Sequence, residues 1–448
     1  MDTLSTKKAA ILKAIVEADV KFIRLQFSDI FGQLKNTTIT RGMLEKALNN
    51  ECMFDGSSIE GFVRIEESDM FLYPDLDSFR IFPFQTGEQY YSARLICDAY
   101  TSAKKPFEGD PRYILKKVLS EASDMGYTVN AGPEVEFFLF DKDADGNASL
   151  NSRDKGGYLD MSPVGLGGDC RRDICVALEQ MGFEIETSHH ECAPAQHEID
   201  FKYADALKAA DNIMTFKMVV KSVANRHGLH ATFMPKPKYG VAGSGMHLNL
   251  SLNDKKTNKN AFYDSTDPLS LSKLAYGFIA GMVQEAPHFT AVTNPLVNSY
   301  KRLVSGFEAP VYVAWSASNR SSLIRVPFAK GEATRVELRS PDPSCNPYLA
   351  IAMAVAAGLE GIKKGLKPPK SIDKNIYDMT DAERKAAKIV SLPSDLGCAV
   401  EQLEQSPFAK SVLGDHIFTK YIEAKKHEWN DYRSRVSCWE IENYLSKY

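Results

Sequence analysis

Four segments of this chain alternate apolar and polar residues with a period of two, and the polar set of each is rich in Glu, His or Arg. Side chains of a β-strand point to opposite faces in turn, so this period assigns every residue to a face. In GPEVEFFLF, Val135, Phe137 and Leu139 share one face and Glu134 and Glu136 the other. HEIDF sets Glu198 and Asp200 opposite His197, Ile199 and Phe201. GMHLNLSL separates Met246, Leu248 and Leu250 from His247, Asn249 and Ser251, and TRVELRS separates Val336 and Leu338 from Arg335, Glu337 and Arg339. One such strand would need no special account, because an antiparallel strand commonly keeps a wet face. Four of them on one antiparallel sheet would bring Glu134, Glu136, Glu191, Glu198, Glu337 and His247 together.

So many carboxylates cannot all stay ionised at close range without cations to offset their repulsion. An oxygen-rich set with a single imidazole suits Mg²⁺ or Mn²⁺ better than zinc. Two hard cations flanked by arginines are what phosphoryl transfer requires. Glu191 and Glu198 lie in SHHECAPAQHEID, where Pro194 disfavours a continuous helix and favours a turn between extended segments. On this reading His189, His190 and His197 are supports rather than ligands. Parity along FEIETSHHE puts Glu186 and Glu191 on opposite faces, so the strand must end or bulge between them if both serve one site.

The length of 448 residues suits two or three domains. KFIRLQFSDIFGQLKNTTI reads as a half-buried strand, a turn near Gly32 and a second strand; RGMLEKALNN is a short helix, and RIFPFQTGEQYYSARLICDAY returns to strand. A polar stretch, TSAKKPFEGDP, then ends in Asp110-Pro111, an N-cap followed by proline at the first helical position. The expected division is a small strand-rich domain over 1–105 and a larger one over 106–448. The expected class is α+β, with LAIAMAVAAGLEGIKKGL a buried helix and the last third mainly helical. A net charge of −4 argues against bulk nucleic-acid or anionic-membrane binding. MDTLSTKKAAILKAIVEADV reads as a capped amphipathic helix, not an export signal, and no apolar run has the roughly 18–20 residues that span a bilayer. Eight scattered cysteines without a CxxC pair suit reduced thiols in the cytoplasm.

Several local patterns carry no chemistry. DKDADGN opens like a calcium loop, but Ser152 stands where the bidentate glutamate belongs, so a hairpin turn at Asp145-Gly146 is expected. GVAGSG lacks the Gly-Lys-Ser/Thr of a phosphate loop and precedes a strand; it is a flexible turn or a close approach of backbone to a ligand. CRRD (170–173) reads as a charged helix start. His227, His230, His288, His416 and His427 are taken as structural or surface residues without acidic partners nearby in sequence.

From about Phe22 to the C-terminus the chain closely resembles the bacterial type I glutamine synthetase family. The resemblance rests on MFDGSSIEGF, GPEVEFFLF, SHHECAPAQHE, KPKYGVAGSGMHLNLS, NPLVNSYKRLVSGFEAP and RVELRSPDPSCNPYLA. It implies a small N-terminal β-grasp domain, and a catalytic domain built on a curved antiparallel sheet with helices. It implies ligation of ammonia to L-glutamate through γ-glutamyl phosphate, with ATP as co-substrate and two or more Mg²⁺ or Mn²⁺ per site. By position, Glu136, Glu191 and Glu198 would bind the metal nearest glutamate, and Glu134, His247 and Glu337 the metal on the ATP phosphates. Gly243, His247, Arg302 and Arg339 would contact glutamate. Glu186, Tyr203, Asn249, Ser251 and Arg335 would surround ATP. Arg320 and Arg325 would face the transferring phosphate. Asp55 would enter a neighbouring subunit's site and help bind and deprotonate ammonium, with Tyr158 near that pocket. Glu308 would be the flap. The resemblance also implies a dodecamer of two hexameric rings, and family members can bind transcription regulators. Ala242 departs from the family's usual Asn. GFVRIEESDM and the short stretch before NIYDM (Tyr377) resemble the subgroup that lacks the adenylylation insertion and is feedback-inhibited by glutamine, with Arg64 the regulatory residue. The alternatives are a ligase of the same fold acting on a larger amine such as a polyamine, and a non-catalytic structural or regulatory homologue.

Overall fold

The structure is a computed structural model that describes residues 3–62, 68–84, 90–161 and 166–448. Arg64 lies outside the described residues.

The first hundred residues form a five-stranded sheet. Its strands are β1 (Val20–Ser28), β2 (Leu34–Thr40), β3 (Cys52–Asp55), β4 (Asp69–Ile81) and β5 (Tyr91–Tyr100), in the order β2-β1-β5-β4-β3. β1 and β5 run parallel and the other neighbours antiparallel. Helices α1 (Thr3–Glu17) and α2 (Leu44–Leu48) pack on it. Ile23, Leu25 and Phe27 are buried, as their alternation predicts, in a core with Leu72, Leu95 and Phe62. Gln26 is buried too, and Arg24 is partly covered. The sequence missed β3 and placed the return to strand some ten residues late, because FLYPDLDSF mixes turn residues into a strand.

Asp110 accepts a hydrogen bond from the Arg112 amide at 2.9 Å and starts α3 (Pro111–Asp124) where the Asp-Pro pair predicts. The rest of the chain supplies β6 (Tyr127–Asp141), α4 (Leu166–Gln180), β7 (Ile185–His190), β8 (Gln196–Phe201), β9 (Ala204–Asp205), α5 (Ala206–Arg226), β10 (Leu229–Thr232), β11 (Met246–Asp254), α6 (Lys273–Thr293) and α7 (Ser299–Arg302). Then come β12 (Tyr312–Val313), β13 (Trp315–Ser316), β14 (Ile324–Arg325), β15 (Val336–Leu338) and α8 (Pro347–Lys363). The larger sheet runs β13-β14-β15-β11-β6-β8-β7, with β9 and β10 also paired to β6. It is antiparallel except for β13 and β14. Its apolar face (Val135, Phe137, Ile199, Leu248, Leu250, Val336) belongs to one core with α5, α6 and the buried helix α8. A last long helix, Pro407–Ser434, breaks helical geometry at Gly414. No described helix is long and apolar enough to cross a membrane.

Arg112 ties the two sheets together. Its buried guanidinium donates to Asp75 of β4 (2.6 Å), Asp98 of β5 (2.7 Å) and Asp211 of α5 (2.9 and 3.0 Å). This fixes how the small sheet sits on the large one.

Candidate active site

Cross-strand register decides which polar side chains meet. Glu134 lies opposite His247 on one side and Asp200 on the other; Glu136 lies opposite Glu198; Glu337 lies opposite both Asn249 and Arg325. Paired residues put their side chains on the same face. The four alternating segments therefore are neighbours in one sheet, with the charged set on the face away from the core.

Among the described residues, three groups of ligand atoms could hold an ion: Glu134, His247 and Glu337; His189, Glu198 and Asp200; and Asp154, His190 and His197. Glu134, His247 and Glu337 bring their oxygens and a ring nitrogen within 4.8 Å of one another. His247 Nδ1 is 3.2 Å from Glu134 Oε2 and 3.6 Å from Glu337 Oε1. Glu136, Glu191 and His247 line a small adjoining pocket with Gly243, Arg302, Glu308 and Arg339. Glu198 stands beside it, opposite Glu136, with a buried Oε1 that has no hydrogen-bond partner. Asp200 Oδ1 and Arg339 Nη1 are likewise buried and unpartnered.

Burial and mutual repulsion disturb the charges of the site. Burial, with the Glu191 charge adding to it, pushes Glu136 up to about 7. Burial and the Glu136 and Asp200 charges raise Glu198 well above the carboxylate range. Burial also raises Asp200, to about 6. Glu134 goes the other way. Burial opposes its ionisation, but the His247 bond and charge, with Asn249 and Arg335, bring it down to about 2. Hard divalent cations would satisfy the orphaned oxygens and offset this repulsion, so the residues present fit such ions.

The remaining predicted residues fall into place unevenly. Glu186, Tyr203, Asn249, Ser251 and Arg335 line one cavity of about 390 Å³ with Glu134 and Asp200. Arg325 is outside it, held to Glu337 at 2.8 Å. Arg302 is buried and donates to the Ser340 and Arg339 carbonyls at 2.7 and 3.2 Å. Arg339 Nε donates to Glu337 Oε1 at 3.1 Å, so Glu337 is held by two arginines, Arg325 and Arg339. Glu308 has φ +55°, left-handed backbone in a non-glycine residue, at the mouth of the small pocket. Tyr158 lies edge-on to the His189 ring at 5.6 Å, and the Arg320 charge acts on its hydroxyl from an exposed loop. Asp55 ends β3 and accepts from Ser57; it lines neither cavity of its own chain.

GVAGSG makes a close approach to other parts of the protein, and Gly243 also lines the small pocket. A Cβ on Gly243 would lie 2.3 Å from the Pro235 carbonyl oxygen, and one on Gly245 2.7 Å from Arg302 Nη2. Glu186 and Glu191 reach the same side because the strand both bulges and ends. Register shifts between Ile185 and Thr187, and β7 stops at His190. His190 and His197 are buried supports, and Asp154 binds His190 Nε2 at 3.0 Å. The sequence left out one site neighbour, Gln196, and named two others without a site role: His189 as a support and Asp200 by its parity with Glu198. Gln196 donates to Glu136 Oε2 (2.7 Å) and the Gly243 carbonyl (3.1 Å), His189 sits 3.4 Å from both Glu191 and Glu198, and Asp200 lines the larger cavity. Two of the remaining histidines do have acidic partners: His288 with Glu285 three residues away (3.0 Å), and His227 with Asp173 (2.8 Å). Arg171 of CRRD lies inside α4 and contacts His197 Nδ1.

A nucleotide-sized cavity leading past clustered carboxylates to an arginine-lined pocket, on a sheet joined to a β-grasp domain, defines an ATP-dependent phosphoryl-transferring ligase. Residues 19–102 match the profile of the glutamine synthetase beta-Grasp domain, and residues 108–444 that of the glutamine synthetase catalytic domain. The chain is 60% identical over 441 residues to the glutamine synthetase of Clostridium saccharobutylicum, covering 98% of this chain and 99% of that protein. It is 55% identical over 442 residues to the glutamine synthetase of Staphylococcus aureus strain N315, covering 98% of each. Among solved structures it is similar to GmaS in complex with ADP, with a TM-score of 0.88 at 32% identity over 97% of this chain and 99% of the other. The chain belongs to the glutamine synthetase family.

Proposed function

We propose that the protein joins ammonia to L-glutamate using ATP, through γ-glutamyl phosphate, and releases glutamine, ADP and phosphate. The observation that carries this reading is the continuity of one sheet face. Glu134 lines the cavity bearing Tyr203, Asn249 and Arg335 and groups with His247 and Glu337, and His247 lines the pocket of Gly243, Arg302 and Arg339. A carboxylate is a poor acylating agent, so phosphorylating its γ-oxygen supplies a leaving group for ammonia.

Glu136, Glu191 and Glu198 would hold one divalent ion, and Glu134, His247 and Glu337 another. When bound, such ions neutralise charge on the phosphate oxygens and orient them for in-line transfer. The side chains do the rest. Gly243, His247, Arg302 and Arg339 place glutamate. Arg320, Arg325 and Arg339 offset the charge that develops on the transferring group. Ammonium has no lone pair, so Asp55 of a neighbouring subunit, with Tyr158 nearby, binds it and takes a proton. Glu308 closes the site against water, which would hydrolyse the acyl phosphate. Assembly as a ring-built dodecamer, cytoplasmic location, glutamine feedback through Arg64 and a transcription-regulator partner belong to the same reading.

Phosphate release with glutamate, ATP and Mg²⁺ should depend on ammonium, and Glu136→Ala should abolish it. Near-normal activity of that variant would overturn the ligand assignment. Faster turnover with a larger amine than with ammonium would favour the amine-ligase alternative.

A further inference from the structure

A cavity of about 520 Å³ lies at the seam between the two sheets, and it shares no lining residue with the two site cavities. Arg24 of β1, Lys217 and Lys221 of α5, and Lys425 of the last long helix line it; no Asp or Glu does. Among the described residues, Arg24, Lys217 and Lys221 have no ion pair. Arg24 lies over the Phe82 ring, Lys221 over the Phe233 ring, and Lys217 Nζ donates to the Cys345 carbonyl at 3.1 Å. Of the carboxylates near the seam, Glu428 pairs with Lys425 at 2.7 Å and Asp211 with Arg112, while the charge of buried Asp342 acts on Lys217 without forming an ion pair. Behind Arg24 in register stands Arg94, whose Nε and Nη1 are buried with no hydrogen-bond partner. Lys217 and Lys221 are one turn apart on α5, a repulsive spacing for like charges. Burial, with the Lys221 charge adding to it, brings the Lys217 ammonium down to about 8.

We infer that this cavity binds a small phosphomonoester with an apolar body. Its charges come from three separate elements as mostly lysine point charges, which suits a tetrahedral dianion approached from several sides. Lysine binds phosphate as a point charge, and the fork of Arg24 can grip a phosphate through two parallel bonds. Phe31 and Met214 supply apolar wall for the rest of the molecule.

The probe is phenyl phosphate, titrated calorimetrically into the full-length assembled protein with ADP filling the nucleotide site. Saturable binding is expected, weakened about tenfold or more in Lys217→Met/Lys221→Met and retained in Lys217→Arg/Lys221→Arg. Lys221→Met alone, at a more exposed position, should weaken it measurably with ligase turnover unchanged. Absence of saturable binding, or equal affinity in the methionine variants, would overturn the site. Benzoate binding as tightly would overturn the phosphate assignment, and inorganic phosphate binding as tightly would overturn the apolar part.

Discussion

At Gly243 the space for a side chain is already occupied. The Pro235 carbonyl oxygen lies 2.3 Å from an ideal Cβ, and Arg302 Cγ lies 3.2 Å from it. A backbone carbonyl cannot swing aside, so Gly243→Ala must shift the loop or push Arg302. Misplacement of about 1 Å costs on the order of a hundredfold in rate when groups must be held in line. The variant should therefore raise the glutamate KM by roughly tenfold or more and leave the ATP KM nearly unchanged, measured by steady-state phosphate release. Equal loss for both substrates would mean the loop does not serve the glutamate pocket. At this scale the charged residues were legible because their type and parity are written in the chain. Gln196 was not, because its partners, Glu136 and the Gly243 carbonyl, lie far away in the chain and meet it only through the fold. Glu136 and Glu134 are two residues apart on one strand, yet burial raises one and the His247 contact lowers the other. No reading of neighbours in sequence gives that difference.

At the scale of elements, local chemistry set most boundaries. The Asp110-Pro111 pair started α3 where expected because capping needs only residues within one turn. The same cap carries a pH dependence. Burial and the Asp98 charge push Asp110 up to about 7, against an ordinary value of 3.8. The folded chain therefore holds a proton there that the unfolded chain has lost, and this group's contribution to stability falls as pH rises from about 4 to about 7. Asp110→Asn keeps an oxygen for the Arg112 amide and cannot ionise. Its urea midpoint should fall less than that of the wild type between about pH 5 and about pH 8. Parallel curves for the two proteins would show that Asp110 stays ionised throughout. β3 and the early part of β4 escaped notice, because their strand character comes from pairing with each other and with β5 rather than from alternation.

At the scale of the molecule, Asp55 stands on the small sheet and lines neither site cavity of its own chain. If sites are completed between subunits, two inactive variants should rescue each other. Asp55→Ala and Glu136→Ala chains, unfolded and reassembled together, should regain roughly a quarter of wild-type activity if they mix at random around a closed ring. No recovery in confirmed mixed oligomers would place Asp55 outside the neighbour's site. Sequence alone determined which residues carry charge on which face of each strand, where α3 begins, and the α+β class, because periodicity, caps and turns act over a few residues. Tertiary structure alone decided that Glu134 meets His247 while Glu136 meets Glu198. It also decided that a bulge returns Glu186 to the site's side, and that Arg112 locks the small sheet against α5. Those outcomes depend on strand order and register, which are set by the burial of a whole core rather than by any short stretch of chain.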